Sequence, residues 1–154
     1  AMGGGTEMAL ASDIVVADEK ASFALSEVRV GLVAAASGLV RLPRQIPKKI
    51  AVEHILTGRA ILAEQALRLG LVNRIVPAGQ ALAGAIEIAE EILAVSPTSV
   101  RVSMKVMNEA DEDPSEASAA STPSAFLDEL LTSEDYLEGP KAFAEKRKPV
   151  WRNR

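Results

Sequence analysis

The 154-residue sequence has no cysteine and a single histidine. That excludes a disulfide framework, thiolate chemistry and a zinc site of the usual Cys/His kind. Aromatic residues make up 3% of the chain, too few for the stacking platforms that hold single-stranded nucleic acid. The net charge of −4 points the same way, since a phosphate backbone needs a basic face. No apolar run approaches the ~20 residues a membrane helix requires, and no basic region precedes an apolar core at the N-terminus. Neither nucleic acid nor membrane is therefore an expected partner, and a cytoplasmic location is expected.

Hydrophobic residues are 48% of the chain, many of them alanine, so the core is expected to rest on close helix contacts rather than aromatic plugs. The most informative stretch is Ala1-Met2-Gly3-Gly4-Gly5-Thr6-Glu7-Met8-Ala9-Leu10. Three glycines allow a tight turn and close approach of another molecule to the backbone. The good helix formers after them predict that the glycines open a helix. The first amides of a helix lack intrahelical partners and lie at its positive end, where they can hold a developing oxyanion. Glu7, three positions after Gly4, falls on the same helical face. The run is no P-loop, for no Gly-Lys-Ser/Thr closes it, and it lacks the spaced third glycine of a dinucleotide fingerprint. By itself it also fits a flexible leader.

Ile14-Val15-Val16-Ala17 reads as a short buried strand and Asp18-Glu19-Lys20 as a turn. Glu27 stands among apolar neighbours leading to Gly31-Leu32-Val33. Composition alone favours a surface carboxylate there, with a cleft group as the alternative. Helices are expected over 48–56, closed by Thr57-Gly58, and over 63–69, stopped by Gly70. A short strand is expected over 71–76, then helices over 79–95 and from Ser96-Pro97 to about Glu109. An acidic break at 109–114 follows. Helices over 115–120 and 123–131 come next, and then a helical turn from Ser133 that Gly139-Pro140 punctuates before a last helix over 141–146. His54, mid-helix and far along the chain from Glu7 and Glu27, reads as structural. The tail Lys146-Arg147-Lys148…Arg152-Asn153-Arg154 reads as a solvated end.

The segment AMGGGTEMALASDIVVADEKASFALSEVRVGLV resembles the central part of the crotonase (enoyl-CoA hydratase/isomerase) family. SGLVRLPRQIPKKIAVEHILTGRAILAEQALRLGLVNRIVP resembles the stretch that follows it, and AFAEKRKPVWRNR resembles the C-terminal helix and tail. The combination of G-G-G-x-E, D-I-x-x-A, a second Glu twenty positions on, R-L-P-R, L-T-G and G-L-V is specific where no single one is. The fold class implied is α/β: the C-terminal part of a helix-rich β-β-α spiral with trimerising C-terminal helices. Residues 1–78 would form a partial catalytic core and 79–154 a helical region, with the N-terminal half of the family domain absent.

The resemblance assigns Gly4 to one half of the oxyanion hole for a thioester carbonyl, and Glu7 and Glu27 to the two catalytic glutamates. Both glutamates together favour a hydratase over an isomerase or another crotonase: Glu7 would activate water and Glu27 would protonate the α-carbon. Phe143 and Lys146 match positions approaching the adenine and phosphates of coenzyme A, which enters as part of the acyl-CoA substrate; no catalytic cofactor and no metal are implied. A homotrimer or hexamer is the implied assembly. Two positions depart from the family pattern. Ser26 stands where proline is common, and Ala34-Ala35-Ala36-Ser37-Gly38 replaces P-G-x-G-G in the loop that shapes the acyl pocket. With half an oxyanion hole present, the chain by itself is expected to be catalytically incomplete, leaving an assembly role as the alternative.

Overall fold

The computed structural model describes residues 1–112 and 124–154. The helix expected over 115–120 and the start of the one expected from 123 lie outside the described residues. The chain divides into two compact units, Ala1–Glu87 and Ile88–Arg154, each described by itself.

In the first unit, helix α1 (Gly4–Ala11) leads to strand β1 (Val16–Asp18), strand β2 (Ser22–Phe23) and a single 3-10 turn (Glu27–Val30). Helices α2 (Gly38–Gln45) and α3 (Lys48–Thr57) follow. Then come strand β3 (Ile61–Leu62), helix α4 (Ala63–Arg68), strand β4 (Arg74–Val76) and the first turns of helix α5 (Ala81–Leu93). Strand β1 pairs in parallel with β4 through Val16–Arg74, Ala17–Ile75 and Asp18–Val76; β2 pairs antiparallel with β3 through Ser22–Leu62 and Phe23–Ile61. Beyond the ladder the Asn73 side chain accepts the Val15 N–H at 2.8 Å. The Asn73 N–H returns to the Val15 carbonyl, also at 2.8 Å, and β1 itself starts at Val16, two residues later than the apolar run suggests. Leu10, Phe23, Leu25, Leu42, Ile61 and Val72 are all buried in one cluster that seats α1 and α2 on the small sheets.

Gly58 and Gly70 end α3 and α4 in left-handed conformation, with φ of 63° and 79°, as expected of C-terminal glycines. Helix α2, over which no helix was expected, holds Pro43 within it. The helix is short, and Leu42 buries its apolar face. The carbonyl that Pro43 leaves unpaired belongs to Leu39, which is partly exposed to solvent. The boundary between the units falls within α5 rather than at 78/79. A Cβ added at Gly84 would lie 2.8 Å from Val76 and 3.2 Å from Val16, so the start of α5 lies directly on β1 and β4. Arg74 and Glu87 pair across the same contact at 3.3 Å.

In the second unit, α6 (Pro97–Glu112), α7 (Ser124–Leu131) and α8 (Glu134–Ala144) pack on one another. Helix α6 runs on through residues expected to begin the acidic break. Helix α8 is likewise continuous through Gly139-Pro140, which punctuates nothing. The ring of Trp151 lies 3.5 Å from the Cβ position of Gly139, at ordinary van der Waals distance. Its Nε1 donates to the Ala94 carbonyl at 3.0 Å.

Asp135 ties this unit together. It is 2% exposed and accepts from the Ser96 and Thr98 hydroxyls, each at 3.1 Å, and from the backbone N–H groups of Arg152 and Asn153 at 2.7 and 3.3 Å. Burial pushes its carboxyl up, but these four donors outweigh burial and hold it below the ordinary carboxylate value. Nearby, Glu138 is brought down to about 2 by the Arg147 guanidinium, then by the Val150 N–H.

Candidate active site

The glycine run forms the turn expected of it. Gly3 has φ 55° and ψ −123°, a conformation that side chains disfavour. Its N–H donates to the Ala24 carbonyl at 2.8 Å, and its own carbonyl accepts the N–H groups of Thr6 and Glu7 at 2.9 and 3.1 Å. Helix α1 therefore starts at Gly4. Among the described residues the Gly4 N–H has no acceptor, and a Cβ built on Gly4 would meet nothing within 4 Å. A free donor at the positive end of a helix with open space beside it suits an anionic oxygen.

Glu7 lies one turn into α1 and is 6% exposed. Its Oε1 accepts the Gly38 N–H at 2.8 Å, so the carboxylate is held at the positive end of α2. Gly38 follows Ser37, whose left-handed φ of 80° aims that amide back at α1. A Cβ at Gly38 would stand 2.9 Å from Leu25 and 3.0 Å from both Cγ and Oε1 of Glu7. Gly38 was legible in the sequence as part of the acyl-pocket loop and not as the anchor of a catalytic side chain. The Ser-Gly pair at a helix start was the available signal.

Glu27, for which composition suggested a surface position, is half-buried, with its carboxylate turned inward. The 3-10 turn and the left-handed Gly31 (φ 76°) reverse the chain there, with the Leu32 N–H returning to the Glu27 carbonyl at 3.0 Å. The side chain reaches the glycine turn: Oε1 lies 3.0 Å from where a Cβ of Gly3 would be. Its Oε2 is buried and has no hydrogen-bond partner among the described residues. A buried carboxylate oxygen without a partner is costly in a resting structure and suits a group that meets its partner in the reaction. The first turn of α1 is thus approached by Glu27 at Gly3, and the helix carries both the Gly4 N–H and, one turn on, Glu7.

The remaining candidates are placed as follows. Phe143 on α8 is 87% exposed, and Lys146 is exposed just beyond the helix with φ 52°, its N–H on the Phe143 carbonyl at 3.2 Å. Both belong to the second unit. His54 joins α3 to the loop that follows it and to α4, with Nδ1 3.1 Å from the Arg59 carbonyl and Nε2 3.3 Å from Gln65 Nε2. It is structural. Among the described residues no cluster of three or more His, Cys, Asp or Glu side chains could hold a metal ion. No helix among them is long and apolar enough to cross a membrane.

Comparison with known proteins identifies the family. The family model described as "Enoyl-CoA hydratase/isomerase" matches residues 1–154. A carnitinyl-CoA dehydratase from Salmonella typhi is 42% identical over the whole chain. Among solved structures, an enoyl-CoA hydratase from Mycobacterium tuberculosis H37Rv superposes with a TM-score of 0.94 at 42% identity, covering all of this chain and 61% of that one. A carnitinyl-CoA hydratase from Mycobacterium avium is 47% identical with a TM-score of 0.70, covering all of this chain and 60% of that one. The chain spans 60% of the length of the curated relatives it matches.

Proposed function

The chain belongs to the enoyl-CoA hydratase/isomerase family, and from that premise we propose that it carries the catalytic carboxylates of an enoyl-CoA hydratase. The reaction is syn addition of water to an α,β-unsaturated acyl-CoA thioester. The observation that carries this reading is the grouping of two glutamates around one unpaired glycine N–H, with Glu7 anchored and one oxygen of Glu27 buried and unpartnered.

In this reading the thioester oxygen accepts the Gly4 N–H. Glu7 takes a proton from water as the water oxygen bonds to the β-carbon. The double-bond electrons move toward the thioester, whose oxygen gains charge, and the carboxyl of Glu27 then gives its proton to the α-carbon. One proton has moved onto Glu7 and one has left Glu27; transfer through solvent restores both. Run backwards, the same steps dehydrate a 3-hydroxyacyl-CoA, the class to which the names of the carnitinyl-CoA relatives belong. The relatives are longer than this chain, and we assign to residues outside it the second oxyanion donor and much of the coenzyme A groove. Exposed Phe143 and Lys146 suit a purine ring and a phosphate. Coenzyme A is part of the substrate, with no further cofactor. A trimer or hexamer in the cytoplasm completes the proposal.

An isomerase needs a single carboxylate to move a proton between two carbons, so the pair favours hydration. The test is the product formed from crotonyl-CoA by the full-length protein in deuterium oxide. The expected product is 3-hydroxybutyryl-CoA with one deuterium at C2. Absence of that product, with conversion of 3-hexenoyl-CoA to its 2-enoyl isomer, would replace the hydratase reading by the isomerase one.

A further inference from the structure

Thr6 occupies the position that the G-G-G-x-E pattern leaves open. Its side chain is nonetheless among the most buried in the protein, 2% exposed, and a hydroxyl so placed costs free energy unless it is hydrogen-bonded. Three backbone atoms meet it. Oγ1 lies 2.8 Å from the Ala1 carbonyl oxygen and 3.0 Å from that of Ala24, either of which takes its one proton, and it accepts the Ala24 N–H at 3.0 Å. The Ala24 carbonyl also accepts the Gly3 N–H at 2.8 Å, and the Ala24 N–H also reaches the Ala1 carbonyl at 3.1 Å.

One hydroxyl therefore joins the residues ahead of the glycine turn, helix α1, and the strand segment that carries Glu27 three residues later. Those are the parts whose relative position matters most in the proposed reaction. The enolate oxygen and the α-carbon are separated by a single carbon, so the donor at one and the acid at the other must be fixed against each other to within a fraction of an ångström. If the site needed only bulk at this position, valine would fill it with the same shape and no buried polar group to satisfy. We propose that Thr6 is a positioning residue for hydration: its hydroxyl sets the spacing between the Gly4 N–H, which holds the enolate oxygen, and the Glu27 carboxyl, which protonates the α-carbon. The proposal rests on the hydratase reading above.

Thr6→Val removes the hydroxyl at constant shape and Thr6→Ser keeps it. In the full-length protein, Thr6→Val should lower kcat for crotonyl-CoA about ten-fold while KM stays within about two-fold, because substrate binding groups are untouched. Thr6→Ser should recover most of the kcat. Unchanged kcat in Thr6→Val, or equal loss in both variants, would overturn the proposal. Hydrogen–deuterium exchange over residues 22–27 reads the clamp without reference to activity: faster in Thr6→Val, near wild type in Thr6→Ser. Unchanged exchange in Thr6→Val would also overturn it. A wild-type protein that exchanges as expected but hydrates no enoyl-CoA would instead refute the hydratase reading, and with it the catalytic role of the clamp. Should Thr6→Val fail to fold, Thr6→Ala deletes the same hydroxyl without placing a methyl against backbone carbonyls, and the same comparisons apply.

Discussion

At Gly38 one added methyl group would fall within 3.0 Å of Leu25 and of the Glu7 carboxylate. Leu25 and Glu7 are both buried, so the added methyl displaces the packing on which the Glu7 carboxylate rests. Gly38→Ala is therefore expected to lower the hydration rate about 100-fold, the scale of a displacement near 1 Å at a reacting group, and to cost about 1–3 kcal/mol in stability. Stopped assays at saturating crotonyl-CoA, with thermal unfolding alongside, measure both. Wild-type turnover in Gly38→Ala would remove its amide from the account. At this scale the sequence was unevenly legible. Gly4 and Glu7 could be read because seven contiguous residues carry turn, donor and carboxylate together. The anchor at Gly38 could not, because it joins residues 31 positions apart. Glu27 was read only in part from composition, because the burial of its carboxylate oxygen comes with a chain reversal at Gly31 and an approach to Gly3 that no local pattern shows.

Secondary-structure elements were legible where local chemistry ends them. Gly58 and Gly70 stop α3 and α4 by adopting a conformation other residues avoid, and that information sits in the residue itself. Helices α2 and α8 were not, because each holds an internal proline, Pro43 and Pro140, that a local pattern reads as a break. The same holds for Asp135, whose four donors come from the start of α6 and from the C-terminal tail. Its folded carboxyl is held below the ordinary value. The stability it contributes is then fully present above the unfolded carboxyl's titration near about 4, and is lost as pH falls through the lower folded value. Thermal unfolding of the wild type should weaken across that acid window by more than in Asp135→Asn, which has no proton to gain. Asp135→Ala at neutral pH leaves buried donors unpaired and should cost at least about 1–3 kcal/mol. Equal acid sensitivity in wild type and Asp135→Asn would show that the carboxylate contributes nothing to the tail.

The whole molecule is two compact units joined within α5, and its relatives are longer than it is. Motifs distributed along the chain identified the family, whereas the division inside α5 depends on Gly84 meeting Val16 and Val76, which no local pattern announces. Two predictions belong at this scale. Sedimentation of the full-length protein is expected to show a trimer or hexamer, and a monomer at micromolar concentration would contradict the proposed assembly. Under the proposed function, residues Ala1 to Arg154 expressed alone would offer one of two oxyanion donors, and loss of one such donor costs about 10²–10³ in rate. The isolated chain should therefore be at least that much slower than the full-length protein. The central claim, that Glu7 and Glu27 are the two proton-transfer groups of a hydratase, is tested most directly by following the conjugated thioester absorbance of crotonyl-CoA with Glu7→Gln and Glu27→Gln in the full-length protein. Each substitution keeps size and hydrogen bonding and removes proton transfer, so hydration should fall about 10²–10⁴-fold in a folded protein; near wild-type hydration by either folded variant would contradict the role assigned to that glutamate.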